Sequence, residues 1–157
     1  MCRGYQAFCD AGRAIDGASR KGGFRMSGES IVRTFYAALG EGKILGTKCG
    51  ECGSYSFPPK TACTECGSRD IEVVEMSGDG ELQFYSSGGL PPLRFADYAP
   101  YAYGLVKLKE GPMWLTMIKG VEVVDHDKME AFFTTLPVAV KAKIAEVAGT
   151  NIVTFEV

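Results

Sequence analysis

The sequence has a single histidine, His126, and a single tryptophan among its 157 residues. One imidazole excludes a histidine-rich metal centre and makes any Ser–His–Asp or Cys–His arrangement depend on that one position. His126 stands between Asp125 and Asp127 at the start of a short helical pattern. That charged, solvated setting suits a helix-start residue better than a catalytic base. There is no Gly-x-Ser-x-Gly elbow, no phosphate-cradling P-loop and no dinucleotide fingerprint; Gly88 and Gly89 precede Pro91 and Pro92 rather than joining a strand to a helix. An excess of one charge is also missing. The 17 basic and 19 acidic side chains leave a net charge of −2, which argues against broad attraction to nucleic acid. No apolar run approaches the ~20 residues of a membrane-spanning helix. Arg3, Asp10, Arg13 and Asp16 interrupt any leader-like start, so the expected compartment is the cytoplasm.

In a reducing compartment, six cysteines read as metal ligands or free thiols before they read as disulfides. Four of them form the strongest motif in the chain. Cys49 and Cys52, then Cys63 and Cys66, make two Cys-x-x-Cys hooks separated by ten residues. Each hook points two thiolates at one point, and two hooks complete a tetrahedral site. The hooks repeat one pattern, Cys-x-Glu-Cys-Gly-Ser, with Gly53 and Gly67 supplying the backbone freedom the turns need. Four sulfurs leave no open coordination position, so the expected metal is structural zinc. Iron in a rubredoxin-like site has the same geometry and is the main rival. Cys2 and Cys9 read as bystanders.

The 20 glycines and seven prolines, with a 46% apolar fraction, favour turns and short strands over long helices. Residues 1–26 have no sustained period and are expected to be a disordered or non-native extension, with Met26 a candidate true start. Residues 27–70 read as a helix and the cysteine segment. Ser27 and Ser30 offer hydroxyl caps, Ile31, Val32, Phe35, Tyr36 and Leu39 fall at helical spacing, and Gly40 closes the helix. From residue 71 to 157 the pattern is β: a leading strand over 71–76, strands over 81–86, 102–109 and 113–119, a short helix over 125–133, and two final strands over 138–147 and 152–157. After the leading strand, five strands with a helix between the third and fourth is the order of an OB barrel. The expected fold is therefore mainly β: an N-terminal helix, a rubredoxin-like zinc ribbon and a C-terminal OB-fold barrel.

The helix, the cysteine hooks, the Phe57, Pro58, Pro59, Lys60 segment between them and the Gly78, Asp79, Gly80 turn occur together with Pro100 and Tyr101. In that combination, from about Ser30 onward, the chain resembles the zinc-ribbon/OB-fold accessory proteins of thiolases, a domain-of-unknown-function family. The resemblance implies a non-catalytic subunit that binds CoA or acyl-CoA and is required by a thiolase-type catalytic partner cleaving a 3-oxoacyl-CoA. One branch of the family serves benzoylsuccinyl-CoA thiolase, and the chain is similar to it. Lys60 departs from the arginine more usual at its position, which weakens any bidentate contact there.

CoA presents phosphates, an adenine face and a thin pantetheine arm. Lys43, Lys48 and Lys60 are the candidate phosphate contacts, with Tyr55 or Phe57 as an apolar shelf. Phe57 has a competing role in packing the ribbon against the barrel. The loop that follows the first barrel strand carries Leu93, Phe95, Tyr98 and Tyr101, an apolar set that marks a candidate partner-docking surface. A single-stranded nucleic-acid module is the alternative, because zinc ribbons and OB folds both serve there; the acidic balance and scarce arginine speak against it.

Overall fold

The computed structural model describes residues 30–157. The expectations for the extension over residues 1–26, for a start at Met26, for Cys2 and Cys9, and for a cap at Ser27 lie outside the described residues. Helix α1, Ile31–Gly40, buries Ala38 and Leu39. Ser30 caps it through its carbonyl, which accepts from Thr34 N at 3.1 Å, and its hydroxyl makes no capping bond. The helix ends at Gly40, as expected. The chain then reverses at Gly42, whose φ of +82° is the left-handed conformation that stops a helix cheaply only in glycine. Lys43 N then bonds to Ala38 O at 2.9 Å.

Strands β1 (Leu45–Cys49) and β2 (Tyr55–Ser56) flank the first cysteine hook, and β3 (Ile71–Glu75) follows the second. They form one antiparallel sheet in the order β2-β1-β3. β3 was expected to lead the barrel; instead it pairs with β1 over five residues, from Leu45 opposite Glu75 to Cys49 opposite Ile71. The reason is geometric. The second hook returns the chain beside β1, and Gly50 N bonds to Asp70 O at 2.9 Å, so pairing begins before the strand can reach the barrel.

The barrel consists of β4 (Asp79–Gly88), β5 (Tyr101–Leu108), β6 (Met113–Lys119), β7 (Val138–Val147) and β8 (Thr150–Glu156). Its closed order is β4-β5-β6-β8-β7, with helix α2, His126–Phe133, between β6 and β7. This is the expected OB arrangement. The β4–β5 connection, expected as an open loop, contains a 3₁₀ turn over Leu93–Tyr98. A register shift between Leu82 and Phe84 places a bulge in β4. The extra residue lets Leu82 and Tyr85, three apart, both point inward, while Phe84 turns outward at 53% exposure. Gly104 on β5 is what allows the walls to approach so closely: a Cβ there would lie 2.7 Å from Leu82 Cδ1 and 2.7 Å from Phe84 O.

Leu82, Val106, Ile118, Val153 and Phe155 fill the interior, each worth roughly 1.5–3 kcal/mol of burial. Tyr85 is also fully buried, edge-on to Phe132, and its hydroxyl has no hydrogen-bond partner among the described residues. Burial, reinforced by the charge of Glu122, raises its pKa. Phe57 ties ribbon, helix and barrel together, with its ring 6.0 Å from Phe35 and 5.3 Å from Trp114, both edge-to-face. No described helix is long and apolar enough to cross a membrane.

Candidate functional site

The two hooks fold alike, as their shared sequence requires. In the first, Cys49 N bonds to Ser54 O at 2.9 Å and Gly53 N to Cys49 O at 3.0 Å; in the second, Cys63 N bonds to Ser68 O at 2.8 Å and Gly67 N to Cys63 O at 3.1 Å. Gly53 and Gly67 occupy the same left-handed position, at φ of +72° and +73°. Both turns thus aim their thiols inward. The four Sγ atoms of Cys49, Cys52, Cys63 and Cys66 all lie within 4.8 Å of one another. The Cys49–Cys66 and Cys52–Cys63 separations are both 3.6 Å. A tetrahedral ion with sulfur ligands at about 2.3 Å sets neighbouring sulfurs about 3.8 Å apart, so the cluster fits such a metal.

The surroundings favour negative sulfur. The Ser54 hydroxyl lies 3.1 Å from Cys63 Sγ and 3.0 Å from Cys52 Sγ. That hydroxyl, with the backbone N–H groups of Cys66 and Glu65, lowers Cys63 to about 6. Cys66 goes the other way. The Ser68 N–H favours its thiolate, but the neighbouring Cys52 and Cys49 sulfurs and burial outweigh it and push the group up to about 12. Four thiols packed this tightly cannot all ionise alone, and a divalent cation resolves the conflict by taking the place of the protons. Cys49 and Cys63 are buried and Cys52 and Cys66 exposed, so the cluster sits at the surface of the ribbon with a closed coordination sphere. A metal held there crosslinks the hooks and offers no position for a substrate.

The other expected residues separate into groups. Lys48 and Tyr55 do come together: they are register partners on β1 and β2, with the Lys48 ammonium 5.5 Å from the ring centre. Lys60 is exposed at the end of the Pro58, Pro59 segment, which its backbone N–H anchors to the Thr47 hydroxyl at 3.2 Å. Lys43 precedes the opposite end of β1, roughly 15 Å from Lys48 along the strand, and pairs with Glu41 at 3.2 Å. The three lysines therefore do not form one compact cluster. Phe57 is an interior residue, 5% exposed, and not a surface shelf. It is drawn inward because Phe35 and Trp114 offer its ring a dry slot. His126 is exposed at the start of α2, where Asp125 accepts from Lys128 N at 3.2 Å as the cap.

Of the expected docking residues, Leu93 stands out at 94% exposure, whereas Phe95 and Tyr98 of the 3₁₀ turn and Tyr101, which opens β5 rather than lying in the loop, line a cavity of about 450 Å³. The Tyr98 hydroxyl accepts from Ala148 N at 2.9 Å, fixing the 3₁₀ turn to the β7–β8 corner. Tyr103, Leu115, Met117 and Ile152 also line it, and sequence reasoning did not single them out. The signal was present: Tyr101, Tyr103 and Leu105 occupy alternate, outward positions of β5, where a solvated barrel face carries polar side chains.

Two family profiles match the chain in succession: the ChsH2 rubredoxin-like zinc ribbon domain over residues 37–72, and the ChsH2 C-terminal OB-fold domain over residues 73–132. The chain belongs to the DUF35 family. A DUF35 domain-containing scaffold protein of Pyrococcus furiosus is 40% identical over 80 residues, 51% of this chain and 58% of that protein. The chain thus spans under two thirds of the length of that relative. The benzoylsuccinyl-CoA thiolase subunit BbsA of Thauera aromatica is 28% identical over 77 residues, 49% of this chain and 52% of that subunit. Among solved structures, the Ltp2-ChsH2(DUF35) aldolase superposes with a TM-score of 0.62 at 25% identity, covering 84% of this chain and 98% of that one.

Proposed function

We propose that the chain is a non-catalytic accessory subunit that holds the CoA portion of an acyl-CoA for a partner thiolase. The reaction served is reversible thiolytic cleavage of a 3-oxoacyl-CoA. The partner supplies the nucleophilic cysteine, because the thiols of this chain's hooks are committed to metal. That metal is zinc, and its role is to make the ribbon rigid enough to dock. The observation that carries the reading is the closed four-sulfur cluster on a chain of the DUF35 family, with relatives named as a scaffold protein and as a thiolase subunit. The relative from Thauera aromatica makes benzoylsuccinyl-CoA the first substrate to try. Lys48, Tyr55 and Lys60 are the proposed contacts for the polar end of CoA, with Lys43 a more distant cation. Leu93, exposed beside the aromatic cavity, is the proposed edge of the partner interface.

Co-expression with a thiolase encoded beside this chain tests the reading. The expected outcome is co-elution of the two as one complex that retains CoA on a desalting column. A chain that elutes alone and binds oligonucleotides in preference to CoA contradicts it.

A further inference from the structure

β3 lies at the rim of the ribbon sheet rather than in the barrel, and this leaves one of its edges open. The order β2-β1-β3 gives the strand a neighbour on one side only. Gly50 N bonds to Asp70 O at 2.9 Å and Met76 N to Ile44 O at 2.8 Å, which sets the alternation of the ladder between them. In an antiparallel pair every second residue bonds to its neighbour, so Glu72 and Val74 face β1 as Asp70 and Met76 do. Ile71, Val73 and Glu75 turn their N–H and C=O groups the other way. Among the described residues, no backbone group bonds to them there. The covered face of the sheet runs out at the same rim. Thr47 and Cys49 are each 2% exposed, whereas their register partners Val73 and Ile71 are only half-buried. An unpaired edge of this kind is a template for another strand.

We propose that this edge is a self-association surface, on which β3 pairs antiparallel with β3 of a second copy of the chain. The strand is self-complementary in one register. With a two-fold axis through Val73, Ile71 stands opposite Glu75 of the second copy, Glu75 opposite its Ile71, and Val73 opposite Val73. The outward groups of all these residues then bond to one another, and the two ribbon sheets become one. A slip by one residue would set outward groups against inward ones and lose the bonds. Charge selects the same occupant. On the face of Ile71 and Val73, Glu75 lies diagonal to Arg69 of the second copy, within the ~7–8 Å that long side chains span. Both residues are exposed, and neither is ion-paired among the described residues. The two-fold axis makes the contact occur twice. On the opposite face Glu72 approaches Glu72 of the second copy, and Lys48, its register partner on β1, stands beside each to offset the repulsion. A basic strand from another protein would satisfy the glutamates but leave Arg69 facing like charge. The inference goes beyond the accessory role and does not depend on it: paired ribbons join two copies of the barrel in one particle, whatever each copy holds.

Sedimentation equilibrium of the metal-loaded full chain at rising concentration, with backbone amide exchange read alongside, tests the pairing. A reversible monomer–dimer equilibrium is expected. The amides of Ile71, Val73 and Glu75 are expected to exchange freely in dilute solution and to slow as dimer forms. Glu75→Arg puts like charges where attractive pairs stood, and is expected to weaken the dimer about tenfold. Adding Arg69→Glu to Glu75→Arg restores opposite charges and is expected to recover most of that loss. Both positions are exposed, so the variants are expected to keep the fold, which the metal-to-protein ratio checks. A chain that stays monomeric at its highest soluble concentration overturns the proposal. A dimer indifferent to Glu75→Arg, or one in which those amides gain no protection, associates through another surface and overturns it equally. So does full protection of the same amides in the monomer, which means that another part of the chain holds the edge.

Discussion

Truncating Phe57 probes the junction on which the arrangement of helix, ribbon and barrel depends. The ring is 5% exposed and meets Phe35 and Trp114 edge-to-face. An aromatic side chain of this kind buries roughly 150–250 Å², which at about 25 cal/mol per Å² corresponds to about 4–6 kcal/mol. Part of that surface is already shielded in the unfolded chain, and Phe→Ala substitutions in cores cost about 3–5 kcal/mol. Phe57→Ala is therefore expected to destabilise by about 3–5 kcal/mol, which for a chain of this length lowers Tm by roughly 6–20 °C. Urea unfolding followed by Trp114 emission measures it, because Trp114 loses a ring neighbour in the variant and solvent shielding on unfolding. Phe57→Leu retains most of the volume and is expected to lose less than half as much. A loss below about 1 kcal/mol in Phe57→Ala refutes the interior assignment and returns Phe57 to the surface role suggested by its place in the motif.

Other perturbations follow from the same structure. Cys49→Ser or Cys63→Ser is expected to release the metal, so the metal-to-protein ratio by elemental analysis falls from about one to near zero; full occupancy in both variants contradicts the ligand set. Gly104→Ala drives a Cβ to within 2.7 Å of Leu82 Cδ1 and of a backbone oxygen, and is expected to cost about 1–3 kcal/mol in denaturant titration. Glu122 accepts from Val124 N, Asp125 N and Val123 N, which together hold its pKa below the usual carboxylate range. A depressed folded-state pKa contributes stability present above the unfolded value, near 4.3, and lost as pH falls through the folded one. The Tm advantage of the parent over Glu122→Gln is thus expected to be full at pH 6 and to shrink below about pH 4; a constant difference across that range contradicts the sign.

Much of this was legible in the residues because local chemistry and the final fold agree. The Cys-x-Glu-Cys-Gly-Ser repeat dictated two like turns, and two like turns with bonds at matching positions are what formed. The five barrel strands and α2 were readable from the residue pattern and its order. What failed to show was pairing at a distance. Nothing in the residues of β3 says that Ile71 will face Cys49 rather than a barrel strand; that follows from where the second hook releases the chain. The helix end at Gly40 was readable, but the left-handed reversal that follows it sits at Gly42, where the bonds of Gly42 and Lys43 back to the helix fix it. The spread of Lys43, Lys48 and Lys60 was equally hidden, since closeness in sequence along an extended strand means separation in space. The short two-pair seam between β6 and β8 has no motif at all. It arises from two strands that pair at one end and part at the other.

A thiolysis assay on purified components tests the division of labour most directly. A 3-oxoacyl-CoA is supplied to the isolated chain, to the partner thiolase alone, and to the two combined. The chain alone is expected to give no turnover, and the combination to be active where the thiolase alone is not. Thiolysis by the isolated chain, or a thiolase equally active without it, contradicts the account.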